Sequence, residues 1–282
     1  METSITTSDG RSLAALTLGS GPALVVFEAG LGMSGWTWLP IMRELATQGR
    51  VVAYDRAGLG TSTSDAAPRR LERLASDLTC VIDAFPHERL VLVGHSWGGP
   101  VVRLVAAQRL ARGERVDGLV LVDPADEHAD LYFGRLVAWQ SAVQAATLEP
   151  LARLGLLAPT VRRMLRGLPP DVLDAAVTAS TTPAAARATT AEDRWIVPAL
   201  RRLREHTLPL ADLPVRLISG TRTSRWDAGT RAHLNAAHRA SVAAHPGAAF
   251  VAATASGHLV PLSEPEIVVA AVADLLARPP AP

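Results

Sequence analysis

The sequence predicts an α/β protein with a mostly parallel central sheet and helices on both faces. Two observations support this prediction. Short apolar runs alternate with longer amphipathic segments, which is the pattern of parallel strands joined by crossover helices. The predicted strands also end in polar or small residues. Since ligands bind beyond the carboxyl ends of the strands in open α/β sheets, we expect the functional site at that edge.

The first half of the chain supplies most of the predicted strands. Ser8-Asp9-Gly10 is a turn signal between two short segments, so an antiparallel hairpin is expected to lead into the parallel strands. The next strands have the sequences ALVVFE, RVVAYD, LVLVG and GLVLVD. Helices are expected around 38–48, 70–85 and 97–112.

From residue 126 to residue 210 the alternation stops. This stretch is rich in Ala, Leu and Arg, is interrupted by prolines and has no strand pattern. We interpret it as a helical cap inserted after the sixth strand, which leaves a core made of residues 1–125 and 211–282. The sheet pattern resumes with VRLISG, a helix near 227–244, the strand AAFVAATAS, a final helix over 264–277 and the terminal tail RPPAP. An insertion at the ligand edge borders the pocket, so the cap is expected to cover the site.

Composition restricts the classes of partner and chemistry. The formal net charge is +1, and no long run of like charges occurs, so neither nucleic acid nor an anionic membrane surface is expected as a partner. All 28 basic residues are arginine, which excludes Schiff-base lysines and the lysine-dependent phosphate loop. The cluster DPADEHAD at 123–130 does not match a standard ligand spacing, so no metal and no cofactor are expected.

Cysteine usage and hydropathy predict where the protein works. Cys80 is the single cysteine, so no internal disulfide can form, and we expect it to be a buried helix thiol. The opening METSITTSDG lacks a basic patch followed by an apolar core. No apolar run reaches the roughly 18 residues of a membrane span. We expect a cytoplasmic protein without a membrane span, and the oligomeric state stays open.

One short segment predicts a nucleophile. Gly94-His95-Ser96-Trp97-Gly98 follows the strand LVLV and precedes a helical pattern, which is the context of a sharp strand-to-helix turn that exposes a serine hydroxyl. A serine hydroxyl is a poor nucleophile unless a neighbouring base removes its proton. Ser96 is therefore predicted to be a catalytic nucleophile with an imidazole as its base.

Four motifs in order resemble the α/β-hydrolase superfamily over roughly residues 10 to 277. They are EAGLG at 28–32, YDRAGLGTS at 54–62, GHSWGG at 94–99 and SGHLVPLSEPE at 256–266. The resemblance implies an α/β-hydrolase fold with its cap at 126–210. It also implies that His258, in the loop after the last strand, is the general base. The other histidines outside the serine turn are predicted to be exposed helix or loop residues: His87, His128, His206, His233, His238 and His245.

The acidic member of the triad departs from the common pattern of the superfamily. Most relatives carry an aspartate three residues past the glycine of the strand VRLISG, but Thr223 stands there in this sequence. Some families of the superfamily, haloalkane dehalogenases among them, look similar in supplying the acid from the neighbouring strand end. That comparison favours Asp123, at the end of GLVLVD, and Asp227 remains the alternative acid.

The resemblance also predicts an oxyanion hole and a substrate pocket. The family's usual His-Gly is replaced by Ala29-Gly30, so the hole should be made of main-chain N–H groups from Leu31 and Trp97. Asp55 and Arg56 are expected to brace the loops. Substrate contacts are expected from a further set of residues: Gly30, Trp36, His95, Trp139 and Leu259.

These features predict a serine hydrolase that cleaves a carboxylic ester or related acyl bond through an acyl-enzyme. Serine rather than aspartate at the turn disfavours the dehalogenase and epoxide-hydrolase chemistry known on this fold. Two alternatives stay open: an acyltransferase or lactone-forming enzyme with the same triad, and a ligand-binding protein without turnover. The apolar, arginine-containing cap favours a small hydrophobic acyl substrate.

Overall fold

An eight-stranded sheet forms the centre of the protein in the computed structural model, which describes residues 1–210, 212–224 and 227–279. The first residue of the second predicted core segment, Ala211, and the last three residues of the predicted tail lie outside the described residues. The strands are β1 (Glu2–Thr6), β2 (Ser12–Leu18), β3 (Ala23–Glu28), β4 (Arg50–Tyr54), β5 (Arg89–His95), β6 (Gly118–Val122), β7 (Val215–Gly220) and β8 (Ala248–Ala253).

The strand order is β1-β2-β4-β3-β5-β6-β7-β8. The hairpin strands β1 and β2 pair in antiparallel fashion, and β2 joins β4 in the same way. Every later pairing, from β4 across to β8, is parallel. The predicted mostly parallel sheet with an antiparallel edge is therefore confirmed.

Ten α-helices are described. They are α1 (Leu39–Leu45), α2 (Leu71–Asp83), α3 (Gly98–Ala111), α4 (Arg135–Arg153), α5 (Ala158–Met164), α6 (Pro170–Ser180), α7 (Pro183–Glu205), α8 (Ala228–Ala243), α9 (Val260–Ser263) and α10 (Pro265–Ala277). Short 3-10 helices at Gly35–Trp38 and Asp130–Phe133 precede α1 and α4.

The two faces of the sheet carry separate apolar clusters. One cluster joins α2 and α3 to the sheet, and the other joins α1 and α10 to it. Because both faces are covered, the central strands β3 and β6 are buried along their whole length, which explains why they have nearly continuous apolar sequences. This arrangement confirms helices on both faces.

Between β6 and β7, the described residues form the helices α4 to α7 and the short 3-10 helix Asp130–Phe133, joined by loops, and no strand occurs among them. The longest of these helices, α7, lies against loops at the carboxyl edge of the sheet. Thr189 of α7 comes so close to Gly32 that a Cβ on the glycine would lie 2.8 Å from the threonine Oγ1, and Ala188 approaches Gly58 in the same way. The helix α4 packs against α7.

The structure corrects several predictions. The helix expected near 38–48 starts as a 3-10 turn at Gly35 because the Ser34 hydroxyl caps it through the Trp36 N–H. The last strand ends at Ala253, since the chain turns there and Ser256 N–H bonds to the Ala253 carbonyl.

Four side chains are buried differently from their predictions. His238 is completely buried rather than exposed, because its ring bonds to Ser219 Oγ and to the Pro124 carbonyl. His87 and His245 are half-buried, and both bind backbone carbonyls. Cys80 lies on α2 as predicted but is only half-buried.

Candidate active site

Ser96 occupies a tight turn between β5 and α3. Its backbone φ is +52°, in the left-handed region that a residue with a Cβ seldom adopts. Among the non-glycine residues that the structure describes, only Ser96 and Asp123 have a positive φ, and Asp123 has +42°. They follow the ends of the adjacent strands β5 and β6. Such strain persists only where the surrounding structure enforces it, and it concentrates at functional sites.

The glycines around Ser96 are required by close packing of the turn. A Cβ on Gly98 would lie 2.5 Å from the carbonyl oxygen of Glu28, and a Cβ on Gly94 would lie 2.5 Å from the carbonyl oxygen of Gly98. Both clashes are with backbone atoms, which cannot rotate away. The glycine cluster therefore allows the turn to press against the end of β3.

Three predicted side chains meet at the carboxyl edge of the sheet. His258 Nε2 is 3.0 Å from Ser96 Oγ, and His258 Nδ1 is 2.6 Å from Asp123 Oδ2. A carboxylate only accepts hydrogen bonds, so Nδ1–H donates to Asp123 and Nε2 is left to accept the Ser96 hydroxyl. The His258 side chain is 47% exposed, whereas the Asp123 side chain is fully buried.

Asp123 has further partners besides His258. Its Oδ1 accepts the backbone N–H of Gly220 at 3.0 Å, and Arg231 Nη1 lies 2.8 Å and 2.9 Å from the two carboxylate oxygens. Burial alone would raise the pKa of the Asp123 carboxyl. Hydrogen bonds and charge interactions with His258 and Arg231 outweigh burial and hold this pKa well below its usual range.

The alternative acid, Asp227, lies away from His258. Its carboxylate accepts the N–H and the hydroxyl of Ser224 at the start of α8. These bonds hold the pKa of Asp227 below its usual range. Of the two candidate acids, the structure brings only Asp123 into contact with the imidazole.

His95 supports the loop that carries His258. Its Nε2–H donates to the His258 backbone carbonyl at 2.9 Å, and the two imidazole rings lie 4.8 Å apart between centroids. His95 is buried, and burial together with the neighbouring His258 lowers its pKa to about 3. A neutral His95 therefore positions the loop rather than exchanging protons near neutral pH.

The two backbone amides predicted for an oxyanion hole belong to residues next to the serine turn. Gly30, the residue before Leu31, lies against the turn: a Cβ there would be 3.3 Å from Ser96 Cβ. Trp97 follows the serine directly and is buried. In the part of the chain covered by the structure, neither the Leu31 N–H nor the Trp97 N–H donates a hydrogen bond. Both donors are thus available for an added acceptor.

The predicted substrate-contacting residues are spread over several places. Gly30 and His95 lie beside the serine turn, and Leu259 is half-buried next to His258. Trp36 lines a cavity of about 480 Å³ between the β1–β2 hairpin and α6, and that lining does not include Ser96 or His258. Trp139 lies on α4 and is 63% exposed.

A buried ionic network, centred on Arg56, braces the loop before Leu31. Arg56 donates to Glu28 Oε1 at 2.6 Å and to the carbonyls of Ala29 and Gly30 at 2.7 Å each. Its Nε also pairs with Glu192 of α7, which in turn binds Arg69 at 3.0 Å. The other expected brace, Asp55, accepts the Ser34 hydroxyl and the Gly35 N–H.

Sequence reasoning missed Arg231 and Glu192. Each is one of many similar residues on an amphipathic helix, and no local motif marks it. The signal that could have found Arg231 is indirect. If Asp123 is buried after β6, its carboxylate needs a cationic partner, which a helix packed over the strand ends can supply. The acidic cluster after β6 is held by ion pairs, as in Glu127 with Arg103 at 2.6 Å. No group of three metal-ligating side chains occurs among the described residues.

The fold and the serine–histidine–aspartate contact define the class of protein to which this chain belongs. A model of the alpha/beta hydrolase family matches residues 25–271. The chain therefore belongs to the alpha/beta hydrolase family.

Individual relatives are similar over shorter regions. The "Putative carbamate hydrolase RutD" of Azorhizobium caulinodans is 35% identical over 99 residues, 35% of this chain and 36% of that protein. Epoxide hydrolase 4 of Mus musculus is 32% identical over 88 residues, 30% of this chain and 24% of that protein. The chain thus spans well under half the length of these curated relatives.

Similarity to solved structures extends over the whole fold. ALR0039 from Nostoc sp PCC 7120 superposes with a TM-score of 0.79 at 20% identity, covering 99% of this chain and 98% of that one. At this identity the likeness establishes the fold alone. No helix in the described ranges is both long and apolar enough to cross a membrane.

Proposed function

We propose that this protein is a serine hydrolase that cleaves a carboxylic ester or a related acyl bond. The observation that supports this most strongly is the continuous hydrogen-bonded line from Ser96 Oγ through His258 to Asp123. A nucleophile, a base within hydrogen-bond reach and a group that orients the base are the parts that acyl transfer needs.

The reaction would proceed through two tetrahedral intermediates. His258 Nε2 takes the Ser96 proton as Oγ attacks the acyl carbon, and it then returns that proton to the leaving alcohol. The acyl group remains on Ser96 as an ester. A water molecule, deprotonated by the same nitrogen, attacks this ester. The acyl–Oγ bond then breaks, Nε2 returns the proton to Ser96 Oγ, and the carboxylic acid is released. Asp123 keeps the proton on Nδ1 and stabilises the imidazolium that forms twice.

Two free amides would stabilise the negative charge on the acyl oxygen. The N–H groups of Leu31 and Trp97 have no acceptor among the described residues. Trp97 directly follows Ser96, and Gly30, the residue before Leu31, lies against the serine turn. Each such donor contributes about 3 kcal/mol to transition-state stabilisation in comparable sites. Arg56 supports this arrangement because it fixes the carbonyls of Ala29 and Gly30 just before Leu31.

Exposure of the base favours water as the acyl acceptor. The His258 side chain is 47% exposed, so we expect water to have access to the imidazole that would deprotonate it. An acyltransferase or lactone-forming enzyme gains from excluding water at this step. Adding competing alcohols tests this choice: hydrolysis predicts that free acid remains the main product, and a predominant new ester would favour transfer.

The helical segment 126–210 is proposed to act as the cap over the site. Support comes from α7, whose Thr189 and Ala188 touch the loops at Gly32 and Gly58 on the edge that carries Ser96. A small hydrophobic acyl substrate is proposed from the apolar composition of this segment. The carbamate named for one relative makes a carbamate a useful member of the substrate panel.

Turnover of chromogenic substrates tests the proposal. Wild-type protein should hydrolyse p-nitrophenyl esters of short and medium chain length, and Ser96→Ala should lose at least about 10⁴-fold in kcat. The matched control is Ser20→Ala, an exposed serine in the loop before β3, which should retain full activity. Equal turnover by Ser96→Ala would exclude Ser96 as the nucleophile. An acyl adduct that forms but never clears would instead favour a ligand-binding protein.

A further inference from the structure

Arg231 holds the buried carboxylate behind His258. It lies in the first turn of α8 and is only 4% exposed. Its Nη1 is 2.8 Å and 2.9 Å from the two oxygens of Asp123 and 3.1 Å from the carbonyl oxygen of Gly220. The triad chemistry described above needs Asp123 to contact only His258, so it does not require a guanidinium beside the carboxylate.

The position of Arg231 follows from where the acid stands. Asp123 comes after β6, whereas Gly220 ends the neighbouring strand β7. The guanidinium links the two strand ends, because one nitrogen contacts the carboxylate and the Gly220 carbonyl. With the Gly220 N–H on Oδ1, these bonds fix the carboxylate plane and direct Oδ2 at His258 Nδ1.

Arg231 also changes the electrostatics of the base. In an ordinary aspartate–histidine pair, the carboxylate attracts the imidazolium and so favours protonation of the imidazole. Here the negative charge of Asp123 is already shared with a guanidinium in a buried site, where charges interact strongly. Arg231 should therefore oppose protonation of His258 while it keeps Asp123 ionised and correctly oriented.

Other titratable groups among the described residues lie near the Asp123–His258 pair. His95 faces it from the end of β5, and its pKa is lowered to about 3 by burial and by His258 itself, so it stays neutral near pH 7. Tyr132 and Asp126 interact with this charge cluster from the segment after β6. Burial, with Asp123 and Asp126, raises the pKa of Tyr132 above its usual range, so its phenol is neutral as well.

We propose that Arg231 is a positioning residue that orients Asp123 and sets the pH at which His258 becomes able to act as a base. This inference rests on the proposed function of the triad. It predicts that removing the guanidinium charge makes the imidazolium form more readily, so that activity on the acidic side is lost at a higher pH.

The test uses a fluorophosphonate probe and requires no knowledge of the natural substrate. The second-order labelling rate is measured from acidic to alkaline pH for wild type, Arg231→Gln and Arg231→Lys. The matched control is Arg239→Gln, which removes an exposed arginine from the same helix. Circular dichroism is used to check that each variant is folded.

Arg231→Gln should move the acidic limb of the labelling profile upward by about one pH unit or more, the size expected for loss of a close charge. The plateau rate should fall about tenfold or more because the carboxylate loses its fixed orientation. Arg231→Lys should leave the acidic limb near the wild-type position, since it keeps the charge, but should lower the plateau. Arg239→Gln should match wild type in both respects.

A second measurement follows the His258 Nδ1–H proton directly. Its low-field ¹H resonance should shift in Arg231→Gln and stay in place in Arg239→Gln. Should Arg231→Gln fail to fold, Arg231→Met provides a neutral side chain of similar length. If that variant also fails to fold, Arg231→Lys decides the question. A lowered plateau with an unmoved acidic limb in Arg231→Lys supports the inference, and a labelling profile identical to that of wild type overturns it.

The outcomes separate this inference from the proposed function. A folded Arg231→Gln protein with a wild-type pH profile and an unmoved resonance would reduce Arg231 to a structural ion pair and overturn the inference. If wild-type protein is not labelled at any pH, the proposed function fails. The proton resonance still reports whether Arg231 acts on His258 through Asp123.

Discussion

At the scale of single residues, Ser96 and Asp123 share a backbone conformation that costs free energy. Their φ values of +52° and +42° each carry a penalty on the order of 1–3 kcal/mol. Both residues follow parallel strands that lie side by side, and the backbone bond from Ser96 N–H to the Val122 carbonyl ties the two strand ends together. The strain is thus maintained by the sheet, which aims both side chains at His258.

A comparison of Asp123→Asn with Asp227→Asn tests which aspartate is the acidic member of the triad. Asp123→Asn should lower kcat on the order of 10⁴-fold, the effect of losing the group that fixes the histidine tautomer. Asp227→Asn should retain activity, because Asp227 contacts Ser224 and not His258. The measurement is ester hydrolysis by both variants under identical conditions.

Stability must be followed in the same experiment. Asp123→Asn leaves the buried Arg231 without its anionic partner, so its unfolding free energy should fall by about 3–5 kcal/mol. Activity is therefore compared at a temperature at which circular dichroism shows both variants folded. Loss of activity in Asp227→Asn with retention in Asp123→Asn would reverse the assignment.

Sequence reasoning reached the local parts of the site and missed the non-local ones. Ser96 is marked by its own glycines, and His258 by the motif around it, because both signals lie within a few residues. Arg231 lies 108 positions from Asp123, and its role depends on how α8 packs on the strand ends. No periodicity or spacing in one sequence encodes that contact.

At the scale of elements, α7 is attached to the core by a buried charge. Glu192 is 1% exposed and pairs with Arg56 at 2.9 Å and with Arg69 at 3.0 Å. The same Arg56 fixes the loop before Leu31. One helix of the inserted segment therefore shares its anchor with the loop that is proposed to stabilise the oxyanion.

Removing the charge at Glu192 should destabilise the protein strongly. Glu192→Gln leaves Arg56 and Arg69 with less compensation in a buried site, which costs about 3–5 kcal/mol of unfolding free energy. Glu205→Gln at the exposed end of α7 is the matched control and should change stability by no more than about 0.5 kcal/mol. Urea unfolding followed by circular dichroism measures both. If Glu192→Gln is as stable as the Glu205→Gln control, the ion pairs of Glu192 make no net contribution to the free energy of unfolding.

The elements themselves were predicted well where the apolar pattern was strong. The central strands and α2, α3, α8 and α10 lie within a few residues of their predicted positions. Errors came where side-chain bonds decide the boundary, as at Ser34 before α1 and at the turn after Ala253. His238 was misjudged because its buried partners, Ser219 and Pro124, lie on other elements.

At the scale of the whole molecule, the inserted helices and the sheet are connected through the buried charges around Arg56. An insertion held only by surface contacts would be expected to unfold separately. Here, separating Glu192 from Arg56 and Arg69 would leave the buried carboxylate and both buried guanidinium groups without their partners. The α7 part of the segment should consequently stay in place, and any motion that admits substrate should be confined to the more exposed α4 and α5.

This connection predicts one cooperative unfolding transition for sheet and insertion. Far-UV circular dichroism and tryptophan fluorescence should give the same midpoint. The six tryptophans include Trp38 and Trp97 in the core and Trp139 and Trp195 on the inserted helices, so the fluorescence reports on both parts. The calorimetric and van't Hoff enthalpies should agree. Two separated transitions, with the insertion unfolding first, would contradict the prediction.

The central claim is that Ser96, activated by His258, becomes covalently acylated. The most direct measurement is peptide mapping by mass spectrometry after brief exposure to a fluorophosphonate probe. The account predicts one adduct on the peptide that contains Ser96, formed in wild type, absent in Ser96→Ala and strongly slowed in His258→Ala. An adduct on a different residue, or equal labelling of Ser96 in the absence of the His258 imidazole, would contradict it.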